Sequence, residues 1–237
     1  MFTFPAGFIG SDQAYYANAV NFDGSNDYLT YTSAFTGMSD GKSATFSTWF
    51  KRATTGEQYI IDLGVSNATR FAVYFDGINW LIIEGKNAAG ATILSAQRQT
   101  SFTDTTNWHH LSVSFDLANA SNRAVYLDGS AATISWGTYT NDSIDFTTTD
   151  NNVGSRNNNG SKWNGDLADV YLETGTYTDL STNNDWYDAG KPANPLLIGS
   201  PQIVLNNPTA TWHTNAASGG GLTENGALTT ASTSPSD

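Results

Sequence analysis

Short runs in which apolar and polar residues alternate recur along most of this chain from about residue 17. In SATFSTWFKR (43–52), the side chains of residues 44, 46, 48 and 50 share one face of a predicted strand, and those of residues 45, 47 and 49 share the other. Gly, Asn and Asp interrupt the runs at short intervals, as tight turns require. The pattern predicts an all-β chain folded as an antiparallel β-sandwich or jelly roll.

The predicted strands follow one another at regular spacing, and only one segment has helical character. One short helix is predicted near residues 178–189, because Thr178 can cap its start and Gly190 can end it in a left-handed conformation. The strand segments are the hairpin ANAVNFDGSNDYLTYT (17–32), SATFSTWFKR (43–52), QYIIDLG (58–64), TRFAVYFDG (69–77), NWLIIEG (79–85), ATILSAQRQ (91–99), HHLSVSFD (109–116), RAVYLDG (123–129) and GDLADVYLE (165–173).

The chain of 237 residues has an ordinary length for a single all-β domain. Its composition predicts an N-terminal arm over residues 1–16, a β domain over residues 17–190 and a C-terminal extension over residues 191–237. The extension is rich in proline, contains an SGGG run and ends in ALTTASTSPSD, which is typical of chain outside a sandwich. The N-terminus lacks a basic region and a continuous apolar stretch, so neither a signal peptide nor a transmembrane segment is predicted.

Charge and cysteine content exclude several classes of function. The chain has 10 Lys and Arg residues against 22 Asp and Glu residues, a formal net charge of −12. Because the basic residues are scattered singly, no surface is expected to bind nucleic acid or a membrane. The absence of cysteine excludes disulfides, thiolate metal sites, iron–sulfur clusters and thiol nucleophiles.

Two adjacent histidines in NWHHLSVSFD (107–116) are the most reactive residue types in a chain that has only three histidines. Along a strand, His109 falls on the apolar face with residues 111, 113 and 115, and His110 falls on the polar face. Neighbouring residues of a strand point to opposite faces, so the two imidazoles are not expected to share a metal ion or a proton. We therefore expect a framework strand in which His110 forms a hydrogen bond on the polar face.

No catalytic constellation is recognised. A Gly-x-Ser-x-Gly nucleophile elbow is absent. A retaining glycosidase needs two carboxylates about 5 Å apart, and the nearest candidates are Asp166 and Asp169 in WNGDLADVYLE. Three residues apart on a strand, they are predicted to face opposite ways. The chain is therefore predicted not to be an enzyme, and no catalytic residues are assigned.

Two oxygen-rich segments can each be interpreted as a ligand site or as a turn or loop. In DGSND (23–27), Asp23, Ser25 and Asp27 have the alternate spacing of a calcium loop, but Asp-Gly and Asn-Asp also favour a hairpin turn. The Asn-rich DNNVGSRNNNGS (150–161) could bind a cation or a sugar, or could form a solvated loop. We prefer the turn interpretation, so no metal or cofactor is assigned. Calcium binding stays an alternative.

Exposed aromatic side chains are candidates for sugar binding, since a flat amphipathic ring matches the apolar face of a pyranose. Trp80, Trp136 and Trp163 are the candidate residues. The sequence does not show which tryptophans are exposed, and the ligand-binding residues stay unassigned.

Several of these segments together resemble the laminin-G-like branch of the concanavalin A-like jelly rolls. AVNFDGSNDYLTYT is similar to the opening hairpin of that family, SATFSTWFKR and NWHHLSVSFD to two framework strands, RAVYLDG to a later hairpin, and KWNGDLADVYLETGTYTDLS to the closing strand and short helix. The order and spacing match over residues 17–190. The resemblance implies two packed antiparallel sheets with a concave face, and it is compatible with sugar binding, calcium binding or protein contact.

The segment PQIVLNNPTATWHTNAASGGGLTENGALTTASTSPS (201–236) resembles the tails of laminin-G-like proteins of tailed phages and prophages. The predicted function is a non-enzymatic phage virion protein, a capsid decoration or tail-associated component, made in the bacterial cytoplasm and located in the virion. Its expected partners are other virion proteins and further copies of itself, contacted through the N-terminal arm and the extension. The alternatives are a lectin-like carbohydrate-binding module, calcium-dependent or not, and a glycoside hydrolase.

Overall fold

The computed structural model describes residues 15–217 and 221–237, which form β-strands joined by turns and two single 3₁₀ turns, Pro195–Leu197 and Thr209–Thr211. The strands are Ala19–Asp23 (β1), Tyr28–Tyr31 (β2), Ser43–Arg52 (β3), Gln58–Val65 (β4), Ala68–Phe75 (β5), Leu81–Lys86 (β6), Thr92–Arg98 (β7), His109–Asp116 (β8), Arg123–Leu127 (β9), Ser130–Ala131 (β10), Ser135–Tyr139 (β11), Asp150–Val153 (β12), Asn164–Thr174 (β13), Tyr187–Asp188 (β14), Lys191–Pro192 (β15), Ile203–Leu205 (β16), Thr223–Asn225 (β17) and Thr229–Thr230 (β18).

The strands form two large antiparallel sheets, and the predicted all-β sandwich is confirmed. Sheet A has the order β10-β9-β8-β3-β13-β1-β18, with β16 also paired to β13. Sheet B has the order β11-β7-β6-β5-β4-β12-β2-β17. A separate hairpin consists of β14 and β15.

The hydrophobic core lies between the sheets and follows the alternation seen in the sequence. Phe46 and Phe50 of β3 and the apolar residues 111, 113 and 115 of β8 point into it from sheet A. Phe71 and Phe75 of β5 meet them from sheet B, with the rings of Phe50 and Phe75 5.5 Å apart. Alternation therefore decides which face of each strand is removed from water.

The C-terminal segment belongs to the sandwich, contrary to the expectation that residues 191–237 form an extension outside it. Strand β16 pairs with β13, β17 pairs with β2, and β18 pairs with β1. Trp212, Leu222 and Leu228 of this segment lie in the core between the sheets. Each strand is very short, but each one covers a sheet edge that would otherwise expose unpaired backbone groups.

The chain also covers the outer face of sheet A with its own terminal part. Trp49 of β3 stacks on Tyr187, with the ring centroids 5.6 Å apart, and Tyr171 of β13 meets Trp186 edge-on at 5.1 Å. Residues 216 and 217 pack against the same cluster. Part of the predicted extension therefore packs on its own sandwich, and the expected contact with neighbouring chains stays a prediction. Of the predicted N-terminal arm, residues 1–14 lie outside the described residues.

The helix expected near residues 178–189 is not present, since this segment consists of turns followed by β14. The carboxylate of Asp179 caps a single turn by accepting hydrogen bonds from the backbone N–H and the hydroxyl of Ser181, and Asn183 N–H bonds to the carbonyl of Asp179. The chain does not continue this turn as a helix, and Trp186 and Tyr187 pack onto sheet A. Among the described residues, no helix has the length and apolar character needed to cross a membrane.

We predict that Trp212→Ala lowers the free energy of unfolding by about 3–5 kcal/mol, because the buried indole leaves a large cavity. Trp212 is fully buried and meets the ring of Phe22 edge-on at 6.0 Å. The matched control is Leu197→Ala in the same segment, since Leu197 is 83% exposed and its loss should change stability by at most ~0.5 kcal/mol. Urea denaturation measures both, and equal small effects would show that the segment does not complete the core.

Candidate binding face and its surroundings

The two adjacent histidines point to opposite faces of β8, as expected. His109 lies on the inner side, where its ring meets Phe102 edge-on at 4.7 Å. Its Nδ1 is 2.7 Å from Asp128 Oδ2 and its Nε2 is 3.3 Å from Asp104 Oδ2. His110 is fully buried on the outer side, with Nε2 2.8 Å from the hydroxyl of Ser47.

The different surroundings shift the pKa values of the two histidines in opposite directions. Burial lowers the pKa of His110 to about 3, so its ring is neutral in the folded chain at neutral pH. Burial also acts to lower the pKa of His109, but the carboxylates of Asp128 and Asp104 outweigh it and raise the pKa above 6.5. The fold thus favours the protonated form of His109, beside two acids, and the neutral, hydrogen-bonding form of His110.

A β-bulge overturns the expectation that Asp166 and Asp169 face opposite ways. The register of β13 against β3 shifts between Ala168 and Tyr171, and Asp169 has a positive φ of 51°. Its Oδ1 accepts a hydrogen bond of 2.6 Å from Tyr15, which packs on the outer side of sheet A. Asp166 lies on that same outer side, opposite Asn21 and Lys51. Strict alternation fails because the bulge adds one residue.

The DGSND segment is a turn whose carboxylates are occupied by backbone groups. Asp23 Oδ1 accepts hydrogen bonds from the backbone N–H groups of residues 25, 26 and 27. The carboxylate of Asp27 accepts from the backbone N–H groups of Asp23 and Ala227. Within residues 15–217 and 221–237, no group of three His, Cys, Asp or Glu side chains is arranged to hold a metal ion.

The Asn-rich segment crosses the outer face of sheet B and covers a buried polar cluster, which we call the Asp62 cluster (Asp62, Asn152 and Asn157). Asp62 of β4 lies opposite Asn152 of β12 in the sheet register. Its Oδ2 accepts hydrogen bonds of 3.0 Å from the backbone N–H of Asn157 and from the hydroxyl of Thr69. The expected solvated loop is thus partly buried, with Asn157 only 2% exposed.

The Asp62 cluster contains oxygens that lack a hydrogen-bond partner. They are Oδ1 of Asp62, of Asn152 and of Asn157, each on a side chain that is buried. Burial raises the pKa of Asp62 to about 7. Unsatisfied buried polar groups are costly, so these oxygens are the atoms best placed to accept a cation or an ordered water molecule.

Beside this cluster, sheet B presents a partly exposed outer surface, which we call the open face (Tyr74, Ile82, Glu84, Ser95 and Gln97). Their positions alternate with core residues of β5, β6 and β7. The sheet register places Tyr74, Ile82 and Gln97 in one row across the strands, and Glu84 beside Ser95 in the next.

The ring of Tyr74 is fixed by its neighbour on β4. It stacks on Tyr59 with an interplanar angle of 2° and a centroid distance of 4.3 Å. The guanidinium of Arg156 lies 5.9 Å from the Tyr59 ring, on the segment that covers the Asp62 cluster. Glu84 forms an ion pair of 2.8 Å with Lys86. The open face therefore combines an oriented phenol, a carboxylate and amide and hydroxyl groups on rigid strands.

Two of the three tryptophans singled out in the sequence lie in or against the core. Trp163 is fully buried, and Trp136 packs against the core with Arg123 5.1 Å from its ring. Trp80 is half-buried. The sequence analysis missed Tyr59, Tyr74 and Glu84. Period-two alternation in TRFAVYFDG and NWLIIEG places Tyr74 and Glu84 opposite the core positions, whereas alternation in QYIIDLG places Tyr59 with the core residues, and a register shift between Tyr59 and Ile61 brings it beside Tyr74.

Comparison with known families finds a match over most of the chain. The model of a family described as the concanavalin A-like lectin/glucanases superfamily matches residues 23–180. No curated protein matches the chain.

Two solved structures are similar to this chain over most of its length. A native heptameric SAP-like pentraxin from Limulus polyphemus has a TM-score of 0.58 and 15% identity, over 91% of this chain and 94% of that chain. A putative carbohydrate binding protein from Bacteroides ovatus has a TM-score of 0.55 and 14% identity, over 93% of this chain and 62% of that chain. The chain thus spans less than two thirds of the Bacteroides protein, and at these identities the similarity is one of fold.

Substitutions of the two adjacent histidines should change stability with opposite dependence on pH. The stabilisation from His109 is present below the unfolded pKa of about 6.5 and is lost as the pH rises through its higher folded pKa. We therefore expect the deficit in unfolding free energy of His109→Asn to be larger at about pH 6 than at about pH 9. Urea denaturation across this range measures it.

His110→Asn is the matched comparison. The unfolded chain binds a proton at His110 below about pH 6.5 and the folded chain does not until about pH 3, so acidification across this window destabilises the native protein. Replacing His110 removes this loss, and the deficit of the variant should shrink as the pH falls. If the deficits in unfolding free energy of both variants change in the same direction with pH, the opposite pKa shifts of the two histidines are contradicted.

Proposed function

Because this chain belongs to the concanavalin A-like lectin/glucanases superfamily, we propose that it is a non-enzymatic binding module that recognises a glycan on the open face. The observation that carries the proposal is the uneven covering of the two sheets. The outer face of sheet A is packed against Trp186, Tyr187 and residues 216–217, whereas the open face of sheet B stays partly exposed.

The chemistry of the open face suits a hydroxylated ligand. Tyr74 offers an apolar ring with a hydroxyl at its tip, and Glu84 and Gln97 offer acceptors and donors for sugar hydroxyls. These groups stand on adjacent strands, so their spacing is fixed before a ligand arrives and little ordering entropy is lost on binding. The printed description of the Bacteroides ovatus protein as a putative carbohydrate binding protein agrees with this proposal.

The open face and the Asp62 cluster together contain two carboxylates, and the positions of these two groups disfavour a hydrolase. Asp62 and Glu84 lie on the same side of sheet B, on strands separated by β5 and therefore about 10 Å apart at Cα. Asp62 is fully buried beneath the Asn-rich segment and is hydrogen-bonded to Asn157 and Thr69. A carboxyl that substrate cannot reach does not serve as general acid or base.

We predict that the purified chain binds at least one glycan on an array and that Tyr74→Ala lowers the signal at least ~10-fold, about 1.4 kcal/mol in affinity. The matched control is Tyr16→Ala, since Tyr16 is 58% exposed and hydrogen-bonded to Asp237, away from sheet B. Loss of binding in both variants, or no binding by the native chain with or without calcium, counts against the proposal.

The unpartnered oxygens of the Asp62 cluster lead to a separate prediction, which is that calcium affects the stability of the chain. If its three unpartnered oxygens hold Ca²⁺, then calcium raises the melting temperature of the native chain, because an ion that binds only the folded state stabilises it. Asp62→Asn should abolish that shift, whereas Asp23→Asn should leave it intact because Asp23 is occupied by backbone groups. Equal shifts in both variants would place the calcium elsewhere.

The finer role that we propose is display of this module on a phage particle, as a decoration or tail-associated component. Its support is the resemblance of residues 201–236 to tails of phage-encoded laminin-G-like proteins. We expect mass spectrometry of purified particles from a producing host to detect the intact chain. Its recovery only from the lysate, free of particles, would remove this role and leave the binding module.

A further inference from the structure

A cavity of about 360 Å³ opens on the outer side of sheet A, away from the open face. Its floor consists of β1, β3 and β13, and β18 forms one wall. Gly165 lies in the floor with a φ of 138°, and a Cβ there would overlap the backbone of β3 at Lys51. The close approach of β3 and β13 therefore requires glycine at this position.

The floor presents one carboxylate with an unused acceptor. Asp166 Oδ1 accepts a hydrogen bond of 2.7 Å from the side-chain amide of Asn21. Its Oδ2 accepts no hydrogen bond from the described residues and is not among their buried unsatisfied atoms, so it is accessible from the cavity. Lys51, directly opposite Asp166 on β3, also lines the cavity. Asp166 itself is only 6% exposed.

The walls carry hydroxyl groups. Thr105, Thr229 and Ser232 are among the lining residues. Thr230 is fixed from behind by a side-chain hydrogen bond of 2.8 Å to Thr209, and β18 is paired with β1. This wall therefore comes from the C-terminal segment, and without that segment the cavity would be an open strand edge.

We propose that this cavity is a second ligand site, which takes a neutral sugar residue of hexose size. A volume of about 360 Å³ falls in the range of small-molecule sites. The walls offer hydroxyls and the floor offers a carboxylate, an amide and an ammonium group, which match the donors and acceptors of a polyol.

Charge excludes other ligand classes. Lys51 balances Asp166 within the cavity, the guanidinium of Arg52 is held by the carbonyls of Phe102 and Gly56, and the formal net charge of −12 opposes an anionic ligand. The ammonium of Lys51, opposite Asp166, repels Ca²⁺ from this site. Because the site is on the other sheet, it is independent of glycan binding by the open face.

The test is a titration of the full-length ¹⁵N-labelled chain with a panel of neutral methyl glycosides, followed by amide chemical shifts. We expect at least one glycoside to shift the amides of Gly165, Asp166 and residues 229–232, with a Kd of ~1 mM typical of a single sugar residue. No response of these amides to any glycoside at about ten times that concentration overturns the proposal. Responses confined to β5, β6 and β7 also overturn it, although they support binding at the open face.

Two variants tie the response to the cavity. Asp166→Asn keeps the size of the side chain but removes the carboxylate, and Ser232→Trp fills the cavity from its exposed rim. Each should weaken binding at least ~10-fold. The matched control for the second variant is Thr223→Trp, an exposed position on β17 of sheet B, which should bind as the native chain does. Native affinity in both cavity variants would show that the ligand lies elsewhere.

Discussion

Strand β13 is paired along one edge with β3 and along the other with two different strands. Residues 164–168 pair with β1, and residues 170–172 pair with β16. Asp169 occupies the bulge between the segment paired with β1 and the segment paired with β16. Its carboxylate accepts a hydrogen bond from the hydroxyl of Tyr15. Asn206 donates in turn to Tyr15. Segments from both ends of the chain therefore meet on one buried strand, and the bulge provides room for both.

This shared edge determines which surface of the sandwich is left for ligands. On the outer side of sheet A, Trp49, Tyr171 and Val204 are covered by Trp186, Tyr187 and residues 216 and 217. Aromatic area on that side is removed from water, which stabilises the domain but prevents a broad binding face. The small polar cavity beside β18 and the outer face of sheet B stay accessible.

The sequence predicted the parts of the fold that depend on local alternation. Strands β3 and β8 and the opposite orientations of His109 and His110 follow from period-two patterns alone. The prediction failed at Asp169, because the bulge inserts one residue and shifts the alternation of the strand. It also failed for residues 191–237, which were assigned to an extension from their Pro- and Gly-rich composition, although IVL (203–205) and Trp212 are buried in the core. The stacking of Tyr59 on Tyr74 depends on the register between β4 and β5, which no single strand specifies.

The buried titratable groups of the sandwich have opposing effects on its stability. Asp62 lies under the Asn-rich segment and Asp169 lies in the bulge, and burial raises the pKa of each to about 7. A carboxyl with a raised folded pKa favours the folded state most below its unfolded pKa of about 3.8, and this contribution is lost as the pH rises towards 7. His110 acts in the opposite sense over much of the same range, because its folded pKa is lowered to about 3. Between about pH 4 and 6.5, two buried acids that favour acidity therefore outnumber the one buried imidazole that opposes it.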